Sequence, residues 1–199
     1  MKLYYSPGAC SLASHIALRE AGADFQLEKA DLKAKKTESG ADFLAITPRG
    51  AVPALALDGG EVLTEGVAIM QYVADNSKTA TPAQGSLARA RLHEALNYVS
   101  TEIHKSYTPF WGPLSDEAKA AQTKTLNARL AVLEAKLSDG RAYLTGADYS
   151  PADGYLFTVT NWSGMLGHDL SGFPQIEALR GRVAARPAVQ AALQAEGLI

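Results

Sequence analysis

The sequence predicts a mixed α/β unit followed by an all-helical one, on three observations. Strand-like and helix-like segments alternate from residue 1 to about residue 76. A small, polar stretch over 77–85, broken by Pro82 and Gly85, interrupts the pattern and reads as a linker. Beyond it, apolar residues recur at helical spacing and strand-like alternation is largely absent. The expected domains are therefore 1–80 and 86–199.

In the first unit, Leu3, Tyr4 and Tyr5 belong to a short apolar and aromatic run that reads as a strand. Pro7 and Gly8 break it, and 10–20 follows as a helix with Leu12, Ile16 and Leu18 as its apolar residues. Residues 25–30 alternate at period two, like a half-buried strand. Residues 33–38 are polar and read as a loop, and 41–46 reads as a short helix ending before Pro48. Residues 52–57 and 61–64 pair as a hairpin across the turn Asp58-Gly59-Gly60. Residues 65–76 form a helix that offers Val67, Ile69, Met70 and Val73 to a core. The expected order is β-α-β-α-β-β-α. In the second unit, helices are expected over about 86–107, 115–138, 151–166, 174–185 and 187–196. Ser150-Pro151-Ala152-Asp153 is a strong start signal: Ser150 caps, Pro151 suits the first helical position, and Asp153 reaches back.

Composition narrows the function classes. Hydrophobic residues at 47% and charged residues at 20% are ordinary for a globular protein with a real core. A formal net charge of -2 gives no long-range pull toward nucleic acid or an anionic membrane. No apolar run approaches the roughly 18 residues of a membrane span, and Pro7-Gly8 cuts short anything like a secretory leader. The single cysteine cannot form an internal disulfide, which fits a reducing cytoplasm.

That cysteine, Cys10, falls at the strand–turn–helix junction. Free N–H groups and the helix dipole favour an anion there, so its thiol is expected to titrate below a free one and to act as a nucleophile. The competing reading is a small buried hydrophobe. Thr64-Glu65-Gly66 lies at a second strand–helix junction, where backbone N–H groups can hold a carboxylate and Gly66 lets a ligand approach. Glu65 is either a partner for a ligand ammonium or a first-turn acid complementing the dipole. Pro53 opens a strand and, read alone, is a trans edge proline. His104 lies on the first long helix among Glu102, Lys105 and Tyr107, with His93 eleven residues earlier. It can donate a hydrogen bond or move a proton. Tyr107, Phe110, Trp111 and Trp162 are either core or the wall of an apolar cleft. No set of His, Cys and carboxylate residues has metal-ligand spacing.

Taken together, residues 2–12, 35–40, 47–53, 63–69, 102–105 and 150–153, and the ending Glu196-Gly197-Leu198-Ile199, make the chain resemble bacterial beta-class glutathione S-transferases. These stretches appear in family order over nearly the whole chain, and a cysteine at position 10 distinguishes this class from those with Tyr or Ser there. The resemblance implies a thioredoxin-like domain over 1–80 that binds glutathione. It implies an all-helical domain over 86–199 that walls the electrophile site and forms part of a dimer interface. Cys10 would face the glutathione sulfur and Lys35 the glycyl carboxylate. Val52, held by a cis-Pro53, would pair with the cysteinyl backbone, and Glu65 and Gly66 would take the γ-glutamyl end. Asn97, Thr101, Glu102, Ile103 and His104 would complete the site, with Lys105 beside them. Thr47 and Gly66 depart from the Asn and Ser that stand there in many relatives.

The resemblance further implies a cytoplasmic homodimeric transferase with glutathione as co-substrate and no other cofactor. Its partner substrate would be a small apolar electrophile or a disulfide. Conjugation and thiol–disulfide exchange through Cys10 both remain open, and a non-enzymatic interaction protein on the same fold is the alternative. One local argument bears on assembly. Asn97 and Glu102 lie about 140° apart around a straight helix, at roughly 100° per residue. Two chains each presenting a different face, or a bend in the helix, would bring both to one ligand.

Overall fold

The computed structural model describes residues 1–77 and 81–199. The chain forms two compact units, Met1–Thr81 with Arg186–Ile199, and Pro82–Ala185. Residues 78–80 of the expected linker lie outside the described residues.

The first unit is built on a five-stranded sheet in the order β3-β2-β1-β4-β5. Strand β1 (Lys2–Tyr5) lies at its centre, parallel to β2 (Gln26–Asp31) with Leu3 opposite Leu27. On its other side β1 runs antiparallel to β4 (Ala54–Ala56), which returns as β5 (Val62–Thr64). Leu3 and Leu55 face each other, fully buried, in that central pair. Helix α1 (Ser11–Glu20) packs Leu12, Ile16 and Leu18 inward, and α3 (Gly66–Asp75) adds Ile69 and Met70. A second cluster joins Tyr4, Ala30, Phe43, Val52 and Ala54, with Phe43 supplied by the short α2 (Phe43–Ile46).

Two features differ from expectation. The polar segment 33–38 contains a strand, β3 (Lys36–Thr37), antiparallel to the end of β2. Two residues are too few to show a period, and only Thr37 is buried. The last helix, here α10, expected within the second domain, belongs to the first unit. Over Pro187–Ala195 it buries Val189, Ala192 and Leu193, a helical stripe, and packs on α1. Glu196 at its end accepts from the Gly8 N–H at 2.9 Å and meets His15 Nδ1 at 2.8 Å, with both side chains fully buried. Arg186 pairs with Glu20 at its start, Nη2 to Oε2 at 2.8 Å. Apolar burial and these polar contacts, rather than position in the chain, decide where the segment packs.

The second unit is helical. It opens with α4 (Leu87–Tyr98), capped by Ser86 Oγ, which accepts from the Arg89 N–H. The helix then widens into a π-helical segment, Val99–His104, before a short α5 (Lys105–Tyr107) and a 3-10 turn, Thr108–Trp111. The expected continuous helix over 86–107 is therefore interrupted. Helix α6 (Asp116–Leu137) buries Leu126, Leu130, Leu133 and Leu137 as one stripe. Helix α7 (Pro151–Thr160) is the core helix, buried at nearly every position and packed on α4, the π-helical segment and the later α9 (Pro174–Ala184). Its start is as expected. Asp153 accepts from Ser150 N–H, Ser150 Oγ–H and Leu144 N–H at 2.7 to 2.8 Å. The helix expected over 151–166 breaks at Asn161, and α8 (Trp162–Leu166) ends at Gly167, which takes the left-handed conformation. No helix among the described residues is long and apolar enough to cross a membrane.

Candidate functional site

In the first unit the turn between β1 and α1 delivers Cys10 to the helix N-cap. Two anchors fix the turn. Ser11 Oγ accepts from the Ser6 N–H and donates to the Ser6 carbonyl, and Glu196 holds the Gly8 N–H. Gly8 sits at φ +69, where a side chain is disfavoured, and an added β-carbon would already touch Leu198 at 3.4 Å.

Cys10 Sγ donates to the Val52 carbonyl at 3.3 Å. The peptide bond that follows, Val52–Pro53, is cis. This placement corrects the expected acidity of Cys10. Burial pushes its thiol up to about 11, and the Glu65 charge adds to the rise. The backbone N–H groups of Cys10 and Ser11 pull the other way, as a helix start should, but desolvation outweighs them.

Around this pair the chain brings the other expected residues. Lys35, at φ +55, donates from Nζ to the Gly50 carbonyl at 2.8 Å. Gly50 is itself left-handed, and a β-carbon there would lie 2.8 Å from Leu44 Cδ2 and 3.1 Å from Lys35 Cδ. The left-handed φ of +53 favours glycine there, and a side chain would also have to displace the ends of Leu44 and Lys35. Gly66 starts α3 beside Pro53, whose Cγ would be 3.6 Å from a β-carbon at position 66. Glu65 caps that helix at φ +66, a conformation rare for a side-chain-bearing residue and concentrated at ligand sites. Its exposed carboxylate pairs with Arg49.

In the second unit the remaining expected residues flank or lie within the π-helical segment. Residues five apart stack along such a segment. Asn97 and Glu102 bracket its start, so the separation of about 140° reckoned for a regular α-helix does not hold between them. Thr101 Oγ1 donates to the Asn97 carbonyl at 3.0 Å, and Glu102 pairs with Arg129 at 3.0 Å. Ile103 is fully buried, so its side chain serves the core. His104 Nδ1 lies 2.7 Å from the Tyr155 hydroxyl, and the Trp162 ring meets the imidazole edge-on at 5.0 Å. Burial and the neighbouring Lys105 charge both lower the His104 pKa. Of the four aromatics weighed from sequence, Tyr107 and Trp162 are core, Trp111 is exposed, and Phe110 is half-buried. His15 and His168 are structural: one is paired with Glu196, and the other has Nε2 2.7 Å from Asn127 Oδ1.

Sequence reasoning missed Arg49, Glu196 and Tyr155 as partners of the site. Arg49 and Glu196 lie inside motifs already singled out, so their charge was the available signal. Tyr155 is 51 residues from His104 and carried no local signal.

Comparison with known proteins accounts for both units. Residues 1–75 match the N-terminal domain family of glutathione S-transferases, and 94–187 match the C-terminal domain family. The chain is 46% identical over 201 residues to glutathione S-transferase GstA of Escherichia coli O157:H7, covering 100% of both chains. It is 50% identical to a sphingomonad glutathione S-transferase solved in complex with glutathione, at a TM-score of 0.94 with full coverage of both. A bacterial beta-class glutathione S-transferase from Sphingomonas chungbukensis is 47% identical, also at a TM-score of 0.94 and full coverage. With both domain families matched and relatives aligned from end to end, the chain belongs to the glutathione S-transferase family.

Proposed function

We propose that this chain is a beta-class glutathione transferase, working as a cytoplasmic homodimer with glutathione as its co-substrate and no other cofactor. The observation that carries the reading is the convergence of Cys10, Val52, Pro53 and Gly66 between two helix starts. That convergence presents a thiol, a backbone edge and the N–H groups of two helix starts in one place. Each suits one part of glutathione. The Val52 backbone pairs with the cysteinyl amide, Glu65 with the γ-glutamyl ammonium, the Gly66 N–H with its carboxylate, and the Lys35 ammonium with the glycyl carboxylate. For Asn97, Thr101, Glu102, Ile103 and His104, the resemblance to beta-class relatives is what supports a part in glutathione binding. The sphingomonad relative solved with glutathione supports this ligand.

Two reactions use such a site. In conjugation, the bound glutathione thiolate attacks a small apolar electrophile and displaces its leaving group. In exchange, the Cys10 thiolate attacks the glutathione sulfur of a mixed disulfide, forms a Cys10–glutathione disulfide and releases the other thiolate; a free glutathione thiolate then attacks that disulfide, regenerates the Cys10 thiolate and leaves as glutathione disulfide. The high Cys10 pKa favours conjugation, because little thiolate forms near neutral pH. A non-enzymatic role is disfavoured by the joint retention of Cys10, Lys35, Glu65 and His104.

The test is retention on a glutathione resin followed by assays with an aryl halide and with a mixed disulfide. Turnover of the aryl halide that survives Cys10→Ala, with disulfide turnover lost, is the expected pattern. Melting with saturating glutathione should rise in the wild type and rise less in Glu65→Ala. Failure to bind the resin together with an unmoved melting temperature refutes the reading.

A further inference from the structure

His104 has two open roles, donor or proton acceptor, and the atoms around it distinguish them. We infer that Tyr155 fixes His104 as a hydrogen-bond donor: the Tyr155 hydroxyl donates to Nδ1, and the single ring proton of the neutral imidazole is held on Nε2. The contact is the first argument. At 2.7 Å the hydroxyl and Nδ1 are hydrogen-bonded, so Nδ1 is occupied by Tyr155 and only Nε2 is left to face another group. Acidity is the second. A phenol, with a pKa of about 10, gives up its proton far more readily than a neutral imidazole N–H, so Tyr155 is the better donor of the two.

The mount is rigid. Tyr155 is buried on α7, two residues beyond the Asp153 carboxylate that locks the start of that helix. The Tyr155 ring meets the imidazole edge-on at 5.9 Å and the Trp162 ring does so at 5.0 Å, so two aromatic edges define the plane of His104. Trp162 is in turn held by Tyr107 and Trp111, both edge-on within 6 Å. Desolvation and the Lys105 charge keep the imidazole neutral near physiological pH.

A neutral imidazole whose acceptor nitrogen is already occupied has only an N–H to offer. Such a group stabilises a developing sulfur anion and is poorly placed to take a proton from a thiol. Tyr155 is then a positioning residue: it acts on the reaction only through the orientation and tautomer of His104. This role rests on the transferase reading above, whereas the direction of the hydrogen bond does not.

Selective 15N-histidine labelling of the full-length protein, with the His104 signal assigned through His104→Gln, reads the tautomer directly. The wild type is expected to show the proton on Nε2. In Tyr155→Phe the two tautomers should mix, and the aryl-halide kcat should fall about tenfold, the rate equivalent of one hydrogen bond, with KM for glutathione unchanged. A wild-type spectrum with the proton on Nδ1 overturns the inference, even if Tyr155→Phe fails to fold. So does a folded Tyr155→Phe protein with the wild-type tautomer and rate. A wild type that shows the Nε2 proton but neither binds nor turns over glutathione refutes the transferase reading and the role drawn from it, leaving only the bond direction.

Discussion

Cys10 and His104 are held in different ways. Cys10 sits where a helix begins, on a turn fixed by neighbours close in sequence and by the far C-terminal Glu196. His104 sits inside a helix, at the end of a stretch wound wider than its surroundings, and its orientation comes from α7 and α8. A residue at a helix start is placed by a break in the chain, and breaks carry strong residue signals. A residue within a helix is placed by winding and by distant packing, and neither leaves a local mark. The two mounts therefore fail for different reasons, and removing them one at a time tests the contrast.

The largest effect should come from the tail that steadies the Cys10 turn. Glu196→Ala removes the carboxylate that accepts from both the buried His15 imidazole and the Gly8 N–H. Arg19 donates to His15 Nε2, so Nδ1–H is the donor to Glu196, and losing two hydrogen bonds to a buried carboxylate costs about 3–5 kcal/mol. Urea unfolding should lose that much, and removing 196–199 should do at least as much. A loss below about 1 kcal/mol would mean that the tail does not steady the turn.

The His104 mount should be almost as sensitive through the start of α7. Burial pushes the Asp153 carboxyl up to about 6 while its three donors pull the other way. The group is ionised at neutral pH, and its removal strands buried donors. Asp153→Ala is expected to cost about 2–4 kcal/mol in urea unfolding. It should also broaden or shift the His104 ring signals while leaving the titration of Cys10 in place. Equal disturbance at both residues would erase the distinction between the mounts.

These two cases show what the sequence could reveal. The Ser150–Asp153 start, the hairpin turn at 58–60 and the Pro7-Gly8 break all use residues with strong local preferences, and all stand where expected. Strand β3 escaped notice because two residues have no period. Helix α10 was placed in the wrong unit because an amphipathic stripe says that a face is buried, not against what. The π-helical segment keeps helix-forming residues and changes only the hydrogen-bond span, so the apolar spacing across it reads as ordinary helix. The acidity of Cys10 was misjudged for a related reason. The helix start was legible, but the burial that outweighs it arises only when the chain folds over the thiol, as the contact with Val52, 42 residues away, shows.

That misjudgment yields the next prediction. With its thiol donating to Val52, Cys10 should titrate near 11, well above the about 8.5 of a free cysteine. Thiolate absorbance against pH gives the midpoint, and the single cysteine makes the assignment direct. Saturation with a glutathione analogue carrying a methyl group in place of its thiol should keep the midpoint high or raise it further, because the methyl covers the thiol and adds to the burial that raises it. A midpoint below about 8.5 in the protein alone would restore the simple helix-start expectation.

The smallest effect concerns two serines on α1. Ser11 and Ser14 are both fully buried, three residues apart and so on neighbouring positions of the helix surface. The Ser11 hydroxyl holds Ser6 at both its N–H and its carbonyl, whereas the Ser14 hydroxyl has no partner. Truncating a satisfied buried hydroxyl strands its partners, but truncating an unsatisfied one strands nothing. Ser11→Ala is therefore expected to cost about 1–2 kcal/mol, and Ser14→Ala to be neutral or stabilising by up to about 1 kcal/mol, since alanine is also the better helix former. Position 66 offers a sharper test. A β-carbon there would make only ordinary contacts with Pro53 and would lie 3.9 Å from Ser14 Oγ, so a serine fits and can reach that hydroxyl. Gly66→Ser should stabilise the protein by about 0.5–1 kcal/mol in the presence of Ser14 and by less in Ser14→Ala, a coupling that a double-mutant cycle resolves. Zero coupling would mean that the Ser14 hydroxyl is satisfied in solution by some other group.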